Sequence, residues 1–418
     1  MGIDNKKLID YAKVIVRVGV NVQKNQPVVI SAIVESIPLV RCVVNECYKA
    51  GASKVHVRFD DGEITKMHYI NQSARDLTIM PAYEVDYLAK PVIAEGACRI
   101  SIRGSSPDLL KGVDSQKVQA YQKARSIKLK PLTDWIMSAK CQWTIACWPS
   151  VDWARIVFPK LSPEKAVEKL WDAILLTVRV DGKTDPIKAW DNHNNETEKR
   201  AQVLNDYNFD YIHCENSLGT NIDIKLIKDH IWLSGREKDV HNQWKAQFTA
   251  NLPTEEVWTM PDKYGLNGTV YSSKPLSVHG NIVDKFWFKF KNGKVVDFDA
   301  KVGKDTLANV LKTDVGSNRT GEIALVPVSS PVNQTKVMFY STLFDENAAC
   351  HIALGASYPN NIKNGTAKTR SELAKLGSND SLIHVDFMFG TDDLDIVGGY
   401  NDKKKQPVVI SKKGKLMF

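Results

Sequence analysis

The spacing of apolar residues changes character near residue 210, and that change limits the folds open to this chain. Before it, helical and strand periods alternate. Leu8, Tyr11, Ala12 and Ile15 recur at helical spacing, and Pro27-Val-Val-Ile-Ser31 follows as a short buried strand. Ile37, Val40, Val43, Val44 and Cys47 mark a second helix, with Gly51 where a C-terminal cap belongs. Lys54-Val-His-Val-Arg58 and Cys98-Arg-Ile-Ser-Ile-Arg103 read as further strands. Ser162-Pro163 opens a helix to about Leu176, capped by the serine and started by the proline. Another helix runs from near Pro186 to about Leu204. Helix and strand in this order give a mainly parallel sheet with crossover helices.

Beyond residue 210 the period shortens. Ile222, Ile224 and Leu226 alternate with polar residues, as do Phe286, Phe288 and Phe290. Asn292-Gly293 supplies a tight hairpin turn into Val295-Val-Asp-Phe298, and Thr306 to Leu311 forms a short helical run. The expected fold class is therefore α/β followed by α+β. An N-terminal α/β domain with a mainly parallel sheet spans residues 1–212, and a strand-rich, mixed or antiparallel domain spans 213–418. A chain of 418 residues is long enough for each to bury its own core.

Composition removes several functional classes. The net charge of +8 is mild, and its one basic cluster is Lys403, Lys404 and Lys405 with Lys412, Lys413 and Lys415. A nucleic-acid binder concentrates its charge on one face, so no nucleic-acid partner is expected. Seven cysteines without a CxxC pair make neither a disulfide framework nor a thiolate zinc site. No stretch reaches the ~18 apolar residues of a membrane span. Asp4, Lys6 and Lys7 stand where a signal peptide needs an apolar core. The expectation is a soluble, cytoplasmic protein with no membrane partner.

Phosphate-binding glycine loops, His-Glu-x-x-His and the Gly-x-Ser-x-Gly elbow are absent from the sequence. Cys350 and His351 are adjacent, but neighbouring side chains diverge, so they do not form a thiol–imidazole couple. The remaining chemistry lies in four segments. As a strand, residues 381–390 put His384 and Asp386 on one face, either as a cation grip or as a plain hydrogen-bonded pair. If residues 343–355 are helical, Glu346, Asn347 and His351 lie along one side, and His351 is either a ligand or a satisfied core histidine. Glu255 and Glu256 sit in a strand-like run and point to opposite faces. Glu322 opens a strand with Ala324 and Val326 on its face. Each glutamate is either a strand-end residue facing water or a buried carboxylate that needs a cation or donor. Counting one of the oppositely pointing Glu255 and Glu256, the segments offer four carboxylates and two imidazoles, more than one tetrahedral ion requires, which points to two divalent ions of zinc, cobalt or manganese.

At these segments the sequence resembles the metallo-aminopeptidases typified by aminopeptidase T, AmpS and PepS. The resemblance starts at Arg17-Val-Gly-Val-Asn21 and Ala50-Gly-Ala-Ser53 and passes through Val157-Phe-Pro159. It is densest at Asn251-Leu-Pro-Thr-Glu-Glu-Val257, Ser273-Lys-Pro-Leu276, Gly321-Glu-Ile-Ala-Leu-Val-Pro327, Thr342-Leu-Phe-Asp-Glu-Asn-Ala-Ala349 and His384-Val-Asp386. It implies that Glu256, Glu322, Glu346, His351, His384 and Asp386 are metal ligands and that Tyr358 is the active-site tyrosine. Trp258, Met260 and Leu354 depart from the usual pattern and bear on the substrate pocket. The resemblance also implies a catalytic C-terminal half, a homodimer with an enclosed active site, and peptide substrates with a free N-terminus. The expected function is an aminopeptidase in which two metals activate a water. The alternatives are a metal-dependent hydrolase of non-peptide substrates, or a non-catalytic binding protein that kept the fold. Glu255, beside a ligand, is the candidate to carry the water's proton.

Overall fold

The computed structural model describes residues 4–239, 243–278 and 280–418. The chain divides into two compact units: Met1–Asn195 with Gly235–Thr254, and Glu196–Ser234 with Glu255–Phe418.

In the first unit, β1 (Pro27–Ile33), β2 (Lys54–Asp60), β3 (Cys98–Arg103) and β4 (Trp143–Cys147) form a parallel sheet in the order β2-β1-β3-β4. Val28, Ile30, Cys98, Ile100 and Ile102 are buried on one face of it. Helices cover that sheet because their apolar stripes match its apolar face. Asn5–Lys13 begins where the Asp4 side chain accepts from the Lys6 backbone N–H. It ties to the end of β4 through Tyr11, whose hydroxyl donates to the Cys147 carbonyl at 3.2 Å and accepts from its N–H at 3.0 Å. Ile37–Lys49 buries Leu39, Val40, Val43 and Cys47, and Gly51 turns the chain with φ +95°, a conformation that favours glycine. Pro163–Thr177 starts on the Ser162 cap, as its sequence predicts.

Of four further helices, Gly62–Asn71, Ala82–Ile93, Ser115–Lys128 and Lys130–Met137, the first and third carry no clear apolar period in the sequence. They bury small satellite clusters such as Tyr69, Leu77, Leu110 and Val118.

The second unit is antiparallel. Its large sheet runs from Leu276–Val278 through Asn281–Lys291, Pro261–Tyr271, Asn221–Leu226 and Tyr211–Glu215 to Asp395–Gly399, Val408–Lys412 and Lys415–Leu416. Lys294–Val302 pairs with Asn281–Lys291 as the Asn292-Gly293 turn predicts. A second sheet comprises β5 (Leu233–Ser234), β6 (Val257–Thr259), β7 (Thr320–Leu325), β8 (His351–Gly355) and β9 (His384–Met388), ordered β9-β8-β7-β6-β5. One face of it supplies Ile323, Leu325, Ile352, Leu354 and Phe387 to the main core. Phe387 packs edge-on against Phe288 at 5.0 Å and Phe286 at 5.8 Å between ring centres. Burying a side chain of this size contributes roughly 1.5–3 kcal/mol, and the whole core row fixes which face is left for chemistry.

Two local expectations fail. Residues 343–355 are not one helix. A short helix, Thr342–Asp345, tightens over Glu346–Ala348, and Ala349 then turns extended to start β8. His351 is therefore a strand residue, because pairing with β7 and β9 outweighs local preference. The run holding Glu255 and Glu256 is a strand only from Val257, so both glutamates precede β6.

No helix among the described residues is long and apolar enough to cross a membrane.

Candidate metal centre

The other face of the second sheet is polar. Alternation along β8 places His351, Ala353 and Gly355 on it, while β7 contributes Glu322 and β9 contributes His384 and Asp386. Across the strands, Glu322 and Asp386 flank Ala353 in register, and His384 is opposite Gly355. Small residues on the central strand thus leave room between the larger donors on its neighbours. A side chain at Gly355 is barred twice over: φ is +103°, and a Cβ would come within 2.1 Å of the Ile383 carbonyl oxygen.

Two triads result among the described residues: Glu256, Glu322 and His351, and Glu322, His384 and Asp386. Glu322 belongs to both. His351 Nε2 lies 2.8 Å from Glu256 Oε2 and 3.6 Å from Glu322 Oε1. His384 Nε2 lies 3.9 Å from Glu322 Oε2 and 3.5 Å from Asp386 Oδ1.

The outer nitrogens of both rings are fixed by carbonyls. His351 Nδ1 meets the Ala349 carbonyl at 3.1 Å, and His384 Nδ1 meets the Ala356 carbonyl at 2.8 Å. A carbonyl only accepts, so each Nδ1 carries a hydrogen and each Nε2 turns toward the carboxylates, the orientation of a metal-ligating imidazole.

Electrostatics point the same way. Burial pushes the Glu322 carboxyl up to about 7, against the pull of His351 and His384. Glu346 is driven well above the carboxylate range by burial, then by Asp386 and Glu256. Burial opposes charge on the imidazoles, yet Glu256 holds His351 well above its usual range and Asp386 lifts His384 to about 9. Burial works against an ionised Asp386 as well, but His384 holds it below the usual value. The cluster therefore attracts positive charge.

Whether a cation fits is tested by the acceptors left open. Among the described residues, Glu256 Oε2 and Asp386 Oδ1 are buried without a hydrogen-bond donor, although an imidazole nitrogen stands beside each. Buried acceptors facing acceptors are stable only with a proton or a cation between them. Carboxylate oxygen and imidazole nitrogen without thiolate suit a divalent ion of the zinc, cobalt or manganese kind.

The remaining predicted residues border the triads. Glu346 is buried and feels Asp386, Glu256 and Glu322. The Tyr358 ring meets the His384 ring edge-on at 4.8 Å. Glu255 is buried, its N–H donates to Asn347 Oδ1 at 2.6 Å, and its carboxylate acts on Arg200. Asn347 also donates to the Leu343 carbonyl at 2.9 Å, so one fully buried amide ties the Glu255 and Glu346 segments together.

Sequence reasoning overlooked Asp345 and Asn379. Asp345 accepts the backbone N–H groups of Phe339 and Ser341 at 3.0 and 2.9 Å, and burial pushes its carboxyl up to about 7. Asn379 bridges the carbonyls of Gly316 and Gly355 at 2.8 and 2.6 Å, supporting the end of β8. Neither has a spacing signal. Cys350, in contrast, is spent on structure. It accepts from the Val326 N–H at 3.3 Å, and burial pushes its thiol up, which disfavours a nucleophilic thiolate.

The sequence profile of the thermophilic metalloprotease family (M29) matches residues 4–415. Aminopeptidase AmpS of Bacillus subtilis is 41% identical over 407 residues, covering 97% of each chain. Aminopeptidase PepS of Streptococcus thermophilus is 36% identical, covering 96% of each. The solved structure of wild-type AmpT from Thermus thermophilus superposes with a TM-score of 0.89 at 34% identity, covering 99% of each chain. With whole-length agreement in both sequence and fold, this chain belongs to the thermophilic metalloprotease family.

Proposed function

We propose that this metal-dependent aminopeptidase removes the N-terminal residue from peptides by means of two divalent ions held in its C-terminal half, residues 213–418. The observation that carries the reading is Glu322, a buried carboxylate shared by both triads. Glu256, Glu322 and His351 would hold one ion; Glu322, His384 and Asp386 would hold the other, with Glu346 completing the set. Zinc, cobalt and manganese all accept these donors. When bound, such a pair acidifies a water and polarises the scissile carbonyl.

The protein's own groups do the rest. Glu255 takes the proton of the attacking water and returns it to the leaving amine. Tyr358, beside His384, donates a hydrogen bond to the oxyanion of the tetrahedral intermediate, a contribution of about 3–4 kcal/mol. Asn347 is a positioning residue that keeps the Glu255 and Glu346 segments in step.

All seven cysteines are free thiols, which suits work in the reducing cytoplasm. The family resemblance favours a homodimer.

Elemental analysis combined with a chelation assay on leucine-, arginine- and phenylalanine-p-nitroanilide tests the reading. Two divalent ions per chain, with activity lost to chelator and restored by zinc, cobalt or manganese, are expected. Two ions without peptidase activity would shift the substrate to another hydrolysable class. No metal and no activity after reconstitution would leave a binding protein.

A further inference from the structure

The parallel sheet of the first unit also has one apolar and one polar face. In register, Arg58 on β2 stands beside Ser31 on β1, and Ser31 beside Ser101 on β3. Two residues earlier along the strands, Arg99 on β3 is flanked by Val29 on β1 and Trp143 on β4. Positions two apart share a face, so Arg58, Arg99, Arg103 and Trp143 all stand opposite the buried row of Ile30, Cys98, Ile100 and Ile102.

On this face the basic Arg58, Arg99 and Arg103, with Arg125, stand against the acidic Asp60, Glu237 and Asp239. Burial pushes the Arg99 guanidinium down to about 10, and Arg103, Arg125 and Arg58 press the same way. Asp60 reaches Arg58 at 3.3 Å, while Glu237 and Asp239 act on Cys141, the thiol beside Arg99. Donors are open as well. Arg58 Nε and Trp143 Nε1 are buried and donate to no group among the described residues. Buried donors left unspent are costly without an acceptor to receive them.

We propose that this face binds a small phosphate-bearing anion, inorganic or organic, gripped by the Arg58 and Arg99 guanidinium groups with the Trp143 indole N–H as a neutral third donor. Two strands and two residues apart, the arginines span about 12 Å, a gap their long side chains close around a tetrahedral oxyanion. Guanidinium forks match the geometry of phosphate oxygens, which offer each arginine its own pair of acceptors. The site uses no residue of the metal centre.

Titration calorimetry of the metal-loaded protein with pyrophosphate, at ionic strength held constant with chloride, tests this. The proposal expects a saturable site, weakened about tenfold or more by Arg99→Met and by Arg58→Met while leucine-p-nitroanilide turnover stays at the wild-type level. Asp60→Asn removes the competing carboxylate and tightens binding, an arm that holds even if an arginine variant fails to fold. Inorganic phosphate and a phosphomonoester, run beside pyrophosphate, separate the free ion from an organic carrier. Equal affinity in wild type and both arginine variants would place the anion on the metals and overturn the proposal. So would competition by an N-acetylated dipeptide but not by its C-terminal amide, which would assign the face to peptide carboxylates.

Discussion

The polar faces of the two sheets are incomplete in opposite senses. On the antiparallel sheet, Glu256 and Asp386 carry buried acceptor oxygens without a hydrogen-bond partner among the described residues, beside imidazoles turned by backbone carbonyls to present Nε2. On the parallel sheet, Arg58 Nε and Trp143 Nε1 are buried donors that no acceptor among the described residues reaches, amid arginines that repel one another. An apolar core satisfies itself, and a finished hydrogen-bond network does too. A buried acceptor left open asks for a cation or a proton, and a buried donor left open asks for an acceptor. The two halves of the molecule thus hold sites whose ligand chemistry follows from which half of the hydrogen bond is missing.

That contrast is sharpened first at the oxyanion. Tyr358→Phe should lower turnover on leucine-p-nitroanilide by roughly a hundredfold or more with metal content unchanged. Near-normal turnover would remove the tyrosine from the mechanism.

Next comes the amide that binds the two acidic segments. Asn347→Ala leaves the Glu255 N–H without its acceptor, and urea denaturation should show a loss of about 1–3 kcal/mol. An unchanged midpoint would show that the tie carries no strength.

The acceptor face should also read pH. Folding raises both His384, to about 9, and Glu322, to about 7, above their unfolded values. A raised group contributes stability that is complete below the unfolded pKa and lost as pH rises through the folded one. Metal-free protein should therefore weaken as pH rises from about 4.5 to about 9, first through Glu322 and then through His384. Metal competes with those protons, so the gap in Tm between metal-loaded and chelated protein should widen over the same range. A gap independent of pH would break the link between the imidazoles and the ion.

The smallest effect belongs to the donor face. Without phosphate, Arg99→Met relieves like-charge repulsion and should raise Tm by a few degrees at most. A fall instead would mean that Arg99 already has its partner within the protein.

The fold was legible wherever one face of an element is apolar. Cys98–Arg103 alternates buried and polar residues, and Phe286, Phe288 and Phe290 do so up to an Asn-Gly turn. Ser115–Lys128 buries only Val118, so its sequence gives no period to read. His351-Ile-Ala-Leu-Gly355 is apolar throughout, and a short run of that kind fits a helix or a strand until its partners are known. The site followed the same rule. Glu322, His384 and Asp386 announce themselves as polar residues in apolar strands, but their convergence depends on pairings between segments about 30 to 60 residues apart, which no local period encodes. The arginine face was missed because Arg58, Arg99 and Arg103 read as ordinary solvent-side strand positions until register aligned them.

The central claim is that Glu322 serves two ions at once, and metal counting on two variants tests it most directly. Glu322→Gln should retain neither ion at full occupancy and lose activity by more than a hundredfold, since even partners behind a ligand cost ten- to a hundredfold. His384→Ala should lose one ion and keep the other, held by Glu256, Glu322 and His351. If Glu322→Gln keeps the same metal content as His384→Ala, or if wild-type protein never binds more than one ion, the shared carboxylate is not the organising feature of this centre.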